Sequence, residues 1–194
     1  MMEATNGRGT NALELLKHDH DEVDEMFKQF EQIKDNGDDA EKEQLVAQIC
    51  DALTIHAQIE ETIFYPAARR ALQEKGQDLL DEAAVEHQTL KDIVGRLEMA
   101  PTSDPLYDAG VKVLSEYVKH HVKEEESELF PKVRQSNLDL QSIGQQLTKR
   151  KQELESQEGR SSSQEDRGMQ RGQGRAAPGE RNAQQSMSRS RSTH

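Results

Sequence analysis

Two stretches of this chain repeat one arrangement of imidazole and carboxylate. His56-Ala-Gln-Ile-Glu60-Glu61 runs on to Pro66, and His121-Val-Lys-Glu-Glu125-Glu126 runs on to Pro131, so both read His-x3-Glu-Glu-x4-Pro. Residues four apart share one face of a helix, which points each histidine and its first glutamate the same way. The chain places His20 36 residues before His56 and His87 34 residues before His121. It therefore reads as a duplicated helix pair. Each pair gives one histidine from its first helix, and a histidine plus a glutamate from its second.

His20, His56 and His87 fall on the apolar stripes of three different helices. An unpartnered polar group in a core costs roughly 2–7 kcal/mol on apolar transfer scales, so three such histidines need hydrogen bonds or a metal. Calcium prefers an all-oxygen shell, and a structural zinc site needs only four ligands and no symmetry. Two divalent transition ions, each held by two histidines and sharing two carboxylates, use His20, His56, Glu60, His87, His121 and Glu125 together. Iron is the first expectation for the cofactor, as two ions, with manganese the runner-up. Neither Glu-x-x-His nor His-Glu-x-x-His occurs, which removes the ferritin-like and zinc-peptidase alternatives. His120 offers a competing register with Glu124, but only His121 reproduces the ten-residue spacing to a proline. His18 lies two positions from His20, roughly 200° round the helix, and is expected in solvent.

The elements that carry these residues are helices. Leu13, Leu16, His20, Val23, Phe27 and Phe30 form one stripe, and Asn36-Gly37 ends it as a turn. Leu45, Ile49, Ala52, His56, Ile63 and Ala67 form a second, with Pro66 expected to kink or briefly break it and Gly76 to close it. Leu80, Ala83, His87, Leu90, Val94 and Leu97 form a third, ending at Pro101. A fourth runs from about Leu106 to Gln135, and a weaker piece over Leu138–Leu154 is expected to lean on the rest. The fold expected is all-α: an antiparallel up-down-up-down four-helix bundle over residues 11–150, after a flexible N-terminus at 1–10. Leu154 is the last Val, Ile, Leu, Phe or Tyr, so the Ser-, Arg-, Gly- and Gln-rich residues 151–194 are expected to form a disordered tail.

Composition excludes several classes. One cysteine, Cys50, permits neither an intrachain disulfide nor a CxxC motif, and it is expected to be a packed residue without redox function. No apolar run reaches the roughly 20 residues of a membrane span, and the N-terminal residues lack the apolar stretch of a secretory signal, so a cytoplasmic location is expected. Residues 1–150 carry 17 Lys and Arg against 31 Asp and Glu, a balance that repels phosphate backbones. Nucleic acid is therefore not an expected partner of the folded part, nor is a membrane. The tail is mildly basic. The acidic run Asp19, Asp21, Glu22, Asp24 and Glu25 is expected to be a solvated face.

These motifs resemble those of the hemerythrin-like family, the HHE cation-binding domain. The resemblance covers about residues 11–135 and rests on Asp-His20-Asp, His56-x3-Glu60-Glu61 with Tyr65-Pro66, Glu86-His87, and His121-x3-Glu125-Glu126 with Phe130-Pro131. It implies a non-heme di-iron centre within the bundle, with His20 and His56 serving one iron, His87 and His121 the other, and Glu60 and Glu125 bridging. Oxygen-carrying members have a further histidine four residues after the third-helix ligand, where this chain has Lys91. The resemblance then implies a more open centre that binds a small oxidant (O2, peroxide or NO) for sensing, scavenging or stress response, with catalase-like peroxide breakdown left open. Glu61, Glu86 or Glu126 would either add a ligand or orient a histidine. Two alternatives stand beside this: iron storage or delivery, and an interaction module whose metal is only structural. Tyr117, one turn before His121, reads as a core aromatic or a pocket residue, and Tyr65 and Phe130 as packing near the helix ends.

Overall fold

The computed structural model describes residues 11–172, with side chains described to Gln157. Helix α1 spans Ala12–Ile33 and opens with a capping box: Asn11 Oδ1 accepts from the Leu13 and Glu14 backbone N–H groups, and Glu14 accepts from the Asn11 N–H. The Asn36-Gly37 turn leads to α2, Asp39–Ile59, capped by Asp38. The same rod continues through a π-helical turn, Glu60–Phe64, into α3, Tyr65–Leu72, and closes in a 3-10 turn, Gln73–Gly76. Helix α4 is Gln77–Met99 and α5 is Tyr107–Glu124. A second π-helical turn, Glu125–Leu129, joins α5 to α6, Phe130–Arg134. Helix α7 is Leu140–Gly172.

The four rods close into a ring in which α1 packs on α2, α2 on α4, α4 on α5, and α5 back on α1. This is the all-α bundle that the apolar stripes predict, and the described residues contain no strand. No helix among them is long and apolar enough to cross a membrane.

Pro66 and Pro131 each sit in the first turn of the helix that follows a π-turn. Proline lacks the N–H of a normal helical bond and its ring clashes with the carbonyl four residues earlier. The wider turn just before each proline relieves both, so what the sequence suggests as a kink or break at Pro66 is a local change of helical pitch. In each case the closing bond spans five residues: Tyr65 N–H donates to the Glu60 carbonyl, and Phe130 N–H to that of Glu125.

Two apolar cores lie along the bundle. One gathers Leu13, Leu16, Ile59, Phe64, Leu80, Phe130 and Val133, and the other Val23, Phe27, Ile49, Leu53, Leu90, Val94 and Leu114. The residues that fall between them in each rod are polar: Asp19 and His20, His56 and Glu60, His87, His121 and Glu125. A buried polar layer thus divides the core.

Helix α7 begins two residues after Leu138, and Ile143, Leu147 and Leu154 join the first core cluster. The compact unit that contains the bundle ends at Ser156, so the boundary expected at residue 150 falls within a helix that is still packing. A second unit follows, and its described residues, 157–172, are helical. Residues 1–10, expected to be flexible, and 173–194 of the expected disordered tail lie outside the described residues.

Candidate metal centre

All six residues singled out by the repeat converge in the polar layer, one rod supplying His20, the next His56 and Glu60, the third His87, the fourth His121 and Glu125. All six are buried, Glu60 and His87 almost completely. The four imidazoles meet in two pairs through their Nε2 atoms: His20 and His56 at 3.2 Å, His87 and His121 at 3.1 Å. Glu60 Oε2 reaches both pairs, 3.1 Å from His56 Nε2 and 3.4 Å from His87 Nε2. Glu125 Oε2 does the same from the opposite side, 3.4 Å from His20 Nε2 and 3.8 Å from His121 Nε2.

The opposite edge of each ring fixes its tautomer. His20 Nδ1–H donates to Glu126 Oε1 at 3.0 Å, His87 Nδ1–H to Glu61 Oε1 at 3.0 Å, and His121 Nδ1–H to Glu86 Oε2 at 2.8 Å. His56 Nδ1 faces Asp19 Oδ2 at 3.5 Å. An ionised carboxylate only accepts, so each Nδ1 that meets one carries a proton and Nε2 is the ring nitrogen turned to the centre. Glu61, Glu86 and Glu126 therefore orient histidines, one of the two roles the sequence leaves open for them.

Each orienting carboxylate meets a cation or another imidazole in turn. Lys17 reaches Glu126 at 3.0 Å, Lys151 reaches Asp19 at 2.8 Å, Lys91 reaches Glu61 at 2.6 Å, and His120 Nε2 lies 3.6 Å from Glu86. Burial alone would push the Asp19 and Glu126 carboxyls up, but the His56 imidazole and the Lys151 ammonium beside Asp19, and hydrogen bonds from His20 and Lys17 to Glu126, hold them below the ordinary range. The His121 hydrogen bond lowers Glu86 likewise. At the centre itself burial raises Glu60, and the His56 and His87 imidazoles reverse it, holding this carboxyl well below its usual value. Burial lowers His56, yet Glu60 and Asp19 carry it up to about 10.

The donor set fits metal on two counts. Two ligands on one ion with bonds of about 2.1 Å stand about 3.0 Å apart at an octahedral edge and about 3.4 Å at a tetrahedral one. The Nε2 pairs and most of the Nε2–carboxylate separations fall in that range. Glu60 Oε1 and Glu125 Oε2 are also buried with no hydrogen-bond donor, acceptor atoms that a bound cation would satisfy. The donors divide into two groups that could each hold an ion: His20, His56, Glu60 and Glu125, and Glu60, His87 and His121.

Other expectations fare differently. His18 is exposed and pairs with Glu22 at 3.5 Å. His120 is also exposed, 3.3 Å from Glu124, which leaves the inner register to His121. Asp19 is the exception in the acidic run: it is only 5% exposed and turned toward His56. Its place beside His20 in Asp-His20-Asp gave no sign of this, because the partner that draws it inward, Lys151, lies on α7. Tyr117 remains 38% exposed, and the void beside the histidines is lined without it. The tyrosine that enters the centre is Tyr65, whose hydroxyl lies 2.9 Å from Glu125 Oε1, 3.3 Å from Glu60 Oε2 and 3.2 Å from His87 Nε2. Its packing role is real, since it belongs to the first core, but its oxygen was not anticipated. The signal lay in the π-turn, which brings residue Glu60+5 onto the glutamate's face.

Comparison with known proteins shows the family and the fold. The model of the Hemerythrin HHE cation binding domain family matches residues 11–133. A crystal structure of a Hemerythrin HHE cation binding domain-containing protein from Mycobacterium kansasii superposes with a TM-score of 0.62 at 24% identity, covering 76% of this chain and 89% of that one, a likeness of fold. A DNA nickase of Nostoc sp. is 28% identical over 147 residues, 75% of this chain, which spans only 40% of that protein's length. With the family match covering the whole four-rod bundle and both His-x3-Glu repeats, the chain belongs to the hemerythrin HHE cation-binding domain family.

Proposed function

We propose that this protein is a non-heme di-iron protein that binds a small oxidant (O2, peroxide or NO), with His20, His56, Glu60, His87, His121 and Glu125 as metal ligands. The observation that carries this reading is a void of about 10 Å³ enclosed by the four histidines, Asp19 and the apolar side chains of Val23, Leu53, Ala57, Leu90, Val118 and Val122. A space of that size holds about one water-sized molecule. Its lining offers few hydrogen bonds to water and no anchor for a larger substrate. A surface cavity of about 510 Å³ adjoins the void across His20, Val118 and Val122, the thinnest barrier a small molecule would have to pass.

Bound iron would supply electrons and open coordination positions for the oxidant. The chain's own part is to present four Nε2 lone pairs, to keep Nδ1 protonated through Glu126, Asp19, Glu61 and Glu86, and to exclude bulk water. Sensing, scavenging and peroxide breakdown all use that arrangement. The nuclease activity in the name of the Nostoc relative is not carried over to this chain, which spans 40% of that protein's length and whose bundle is acidic. A single buried thiol, Cys50, suits the reducing cytoplasm.

The test is metal analysis of the purified chain, together with peroxide consumption. We expect iron at both positions, and sharp loss of iron in His56→Ala and His121→Ala but not in His18→Ala. Equal loss from all three overturns the ligand assignment. Manganese in place of iron would correct the cofactor, and full iron without any change on adding peroxide, O2 or NO would favour storage over oxidant binding.

A further inference from the structure

We infer that Glu86, His120 and Glu124 form a separate, outer site for a divalent transition ion, and that ions held there pass inward to the His87/His121 position. The outer site stands on its own geometry, and the passage inward rests on the di-iron reading. The two halves of the bundle meet one need differently. In each, the residue before the first histidine turns to the Nδ1 of the second, Asp19 to His56 at 3.5 Å and Glu86 to His121 at 2.8 Å. Beside Asp19 a cation is built in: the Lys151 ammonium lies 2.8 Å from Asp19 and 3.8 Å from Glu22. Among the described residues no lysine or arginine pairs with Glu86 or Glu124, and both carboxylates meet imidazole alone.

The atoms that converge beside Glu86 are metal donors. His120 Nε2 stands 3.3 Å from Glu124 Oε1, which is a ligand edge, and 3.6 Å from Glu86 Oε1, slightly longer than one. The His120 ring is more than half exposed and has room to close that difference. Glu86 is held from behind, because its Oε2 accepts from His121 and leaves Oε1 turned to His120. An ammonium can only donate, whereas an imidazole nitrogen can ligate. One imidazole with two carboxylates suits first-row divalent ions better than calcium or magnesium, which take oxygen. Three protein ligands also leave positions for water, as a site that must give up its ion requires.

A void of about 10 Å³ joins this cluster to the inner centre: Glu86 and Glu124 line it together with His121 and Glu125. Glu125 is 2% exposed and its Oε2 has no hydrogen-bond donor, so a buried carboxylate stands ready at the inner end. The ion moves by ligand exchange from carboxylate to carboxylate, and its oxidation state does not change. The surface cavity beside His20 opens between α1 and α5, whereas this cluster lies between α4 and α5. Metal and oxidant thus approach the centre from different faces.

Cobalt(II) added to the iron-loaded full chain tests the outer site, by equilibrium dialysis with metal analysis. Wild type and His18→Ala should bind one cobalt ion that His120→Ala and Glu124→Gln lose, with iron and helical content unchanged. His18 is the control because Lys151 already fills the matching cluster in the first half. No such ion in the wild type, or one kept by either variant, overturns the outer site. Stopped-flow uptake of ferrous iron by the metal-free chain tests the passage inward. His120→Ala and Glu124→Gln should load about tenfold more slowly, the low end of what local concentration by charge contributes, and reach the same final iron content. Loading at the wild-type rate overturns the passage inward and leaves the outer site standing. Absence of iron from every chain overturns the di-iron reading instead, and the one-cobalt difference between wild type and His120→Ala still decides the outer site.

Discussion

Replacing Asp19 by Asn asks whether a carboxylate that never touches metal still governs how tightly metal is held. The Asp19 side chain is 6% exposed, so water cannot take its place, and its two partners are Lys151 at 2.8 Å and His56 Nδ1 at 3.5 Å. The Asn side chain keeps the shape and removes the charge. Losing an outer partner of a ligand histidine typically costs about 10–100-fold in metal affinity, roughly 1.4–2.7 kcal/mol. The His56 contact is a 3.5 Å charge contact rather than a hydrogen bond, which places the expected loss in the lower half of that interval. It should also be confined to one ion, because His87 and His121 rely on Glu61 and Glu86 instead. Chelator competition on the iron-loaded chain reads this directly. In Asp19→Asn the His20/His56 iron should leave at roughly tenfold lower chelator than in the wild type, while release of the His87/His121 iron stays where it is. Glu25→Gln changes an exposed member of the same acidic run and should match the wild type. An Asp19→Asn curve superimposed on the wild type would refute the reasoning, since a buried carboxylate facing a ligand would then be electrostatically silent.

Leu147→Ala should destabilise the bundle by about 2–5 kcal/mol in urea unfolding, because Leu147 is fully buried in the first core, and a loss below about 1 kcal/mol would mean that α7 is dispensable. Burial, with Glu98 and Asp51 adding to it, pushes the Cys50 thiol up to about 12, so it should resist alkylation at pH 8 until the chain unfolds; stoichiometric labelling of the native protein would contradict this. In the metal-free chain His56 is raised to about 10, so it holds a proton at neutral pH that metal must displace. Apparent metal affinity should climb about tenfold per pH unit for that proton between neutrality and its pKa, and a flat profile would exclude protonated His56 as the competitor. The same shift stabilises the metal-free fold fully below about pH 6.5, and that share is lost as pH rises through about 10, a trend visible in melting temperature measured against pH.

The four rods, their order and the six convergent side chains were legible because the information is local. Helical period marks the stripes, i, i+4 spacing aims His56 with Glu60 and His121 with Glu125, and the repeat supplies the register that separates His121 from His120. What escaped the sequence depends on contacts between distant segments or on departures from ideal pitch. Asp19 looks like any solvated carboxylate until Lys151 arrives from 132 positions away. Tyr65 lies five residues after Glu60, which on a regular helix would point it well away from that glutamate. Only the π-turn returns it. The weak apolar pattern of Leu138–Leu154 understated α7, because three buried residues suffice when the groove beneath them is already built.

The paired π-turns also bear on the history of the chain. Such a turn amounts to one residue inserted into a helix, and both halves carry it at the same place, directly after the His-x3-Glu and ahead of the proline. An insertion shared in register by two repeats is most simply older than the duplication that produced them. The exchange between Tyr65 and Phe130 distinguishes the copies and must be younger. On this order of events the ancestral unit already had the geometry to swing an aromatic ring over the centre, and a half-length ancestor would have built a symmetric site by pairing with a copy of itself. Fusion of the two halves freed each aromatic position to change alone, something no self-associating ancestor could do without altering both ends of its site at once.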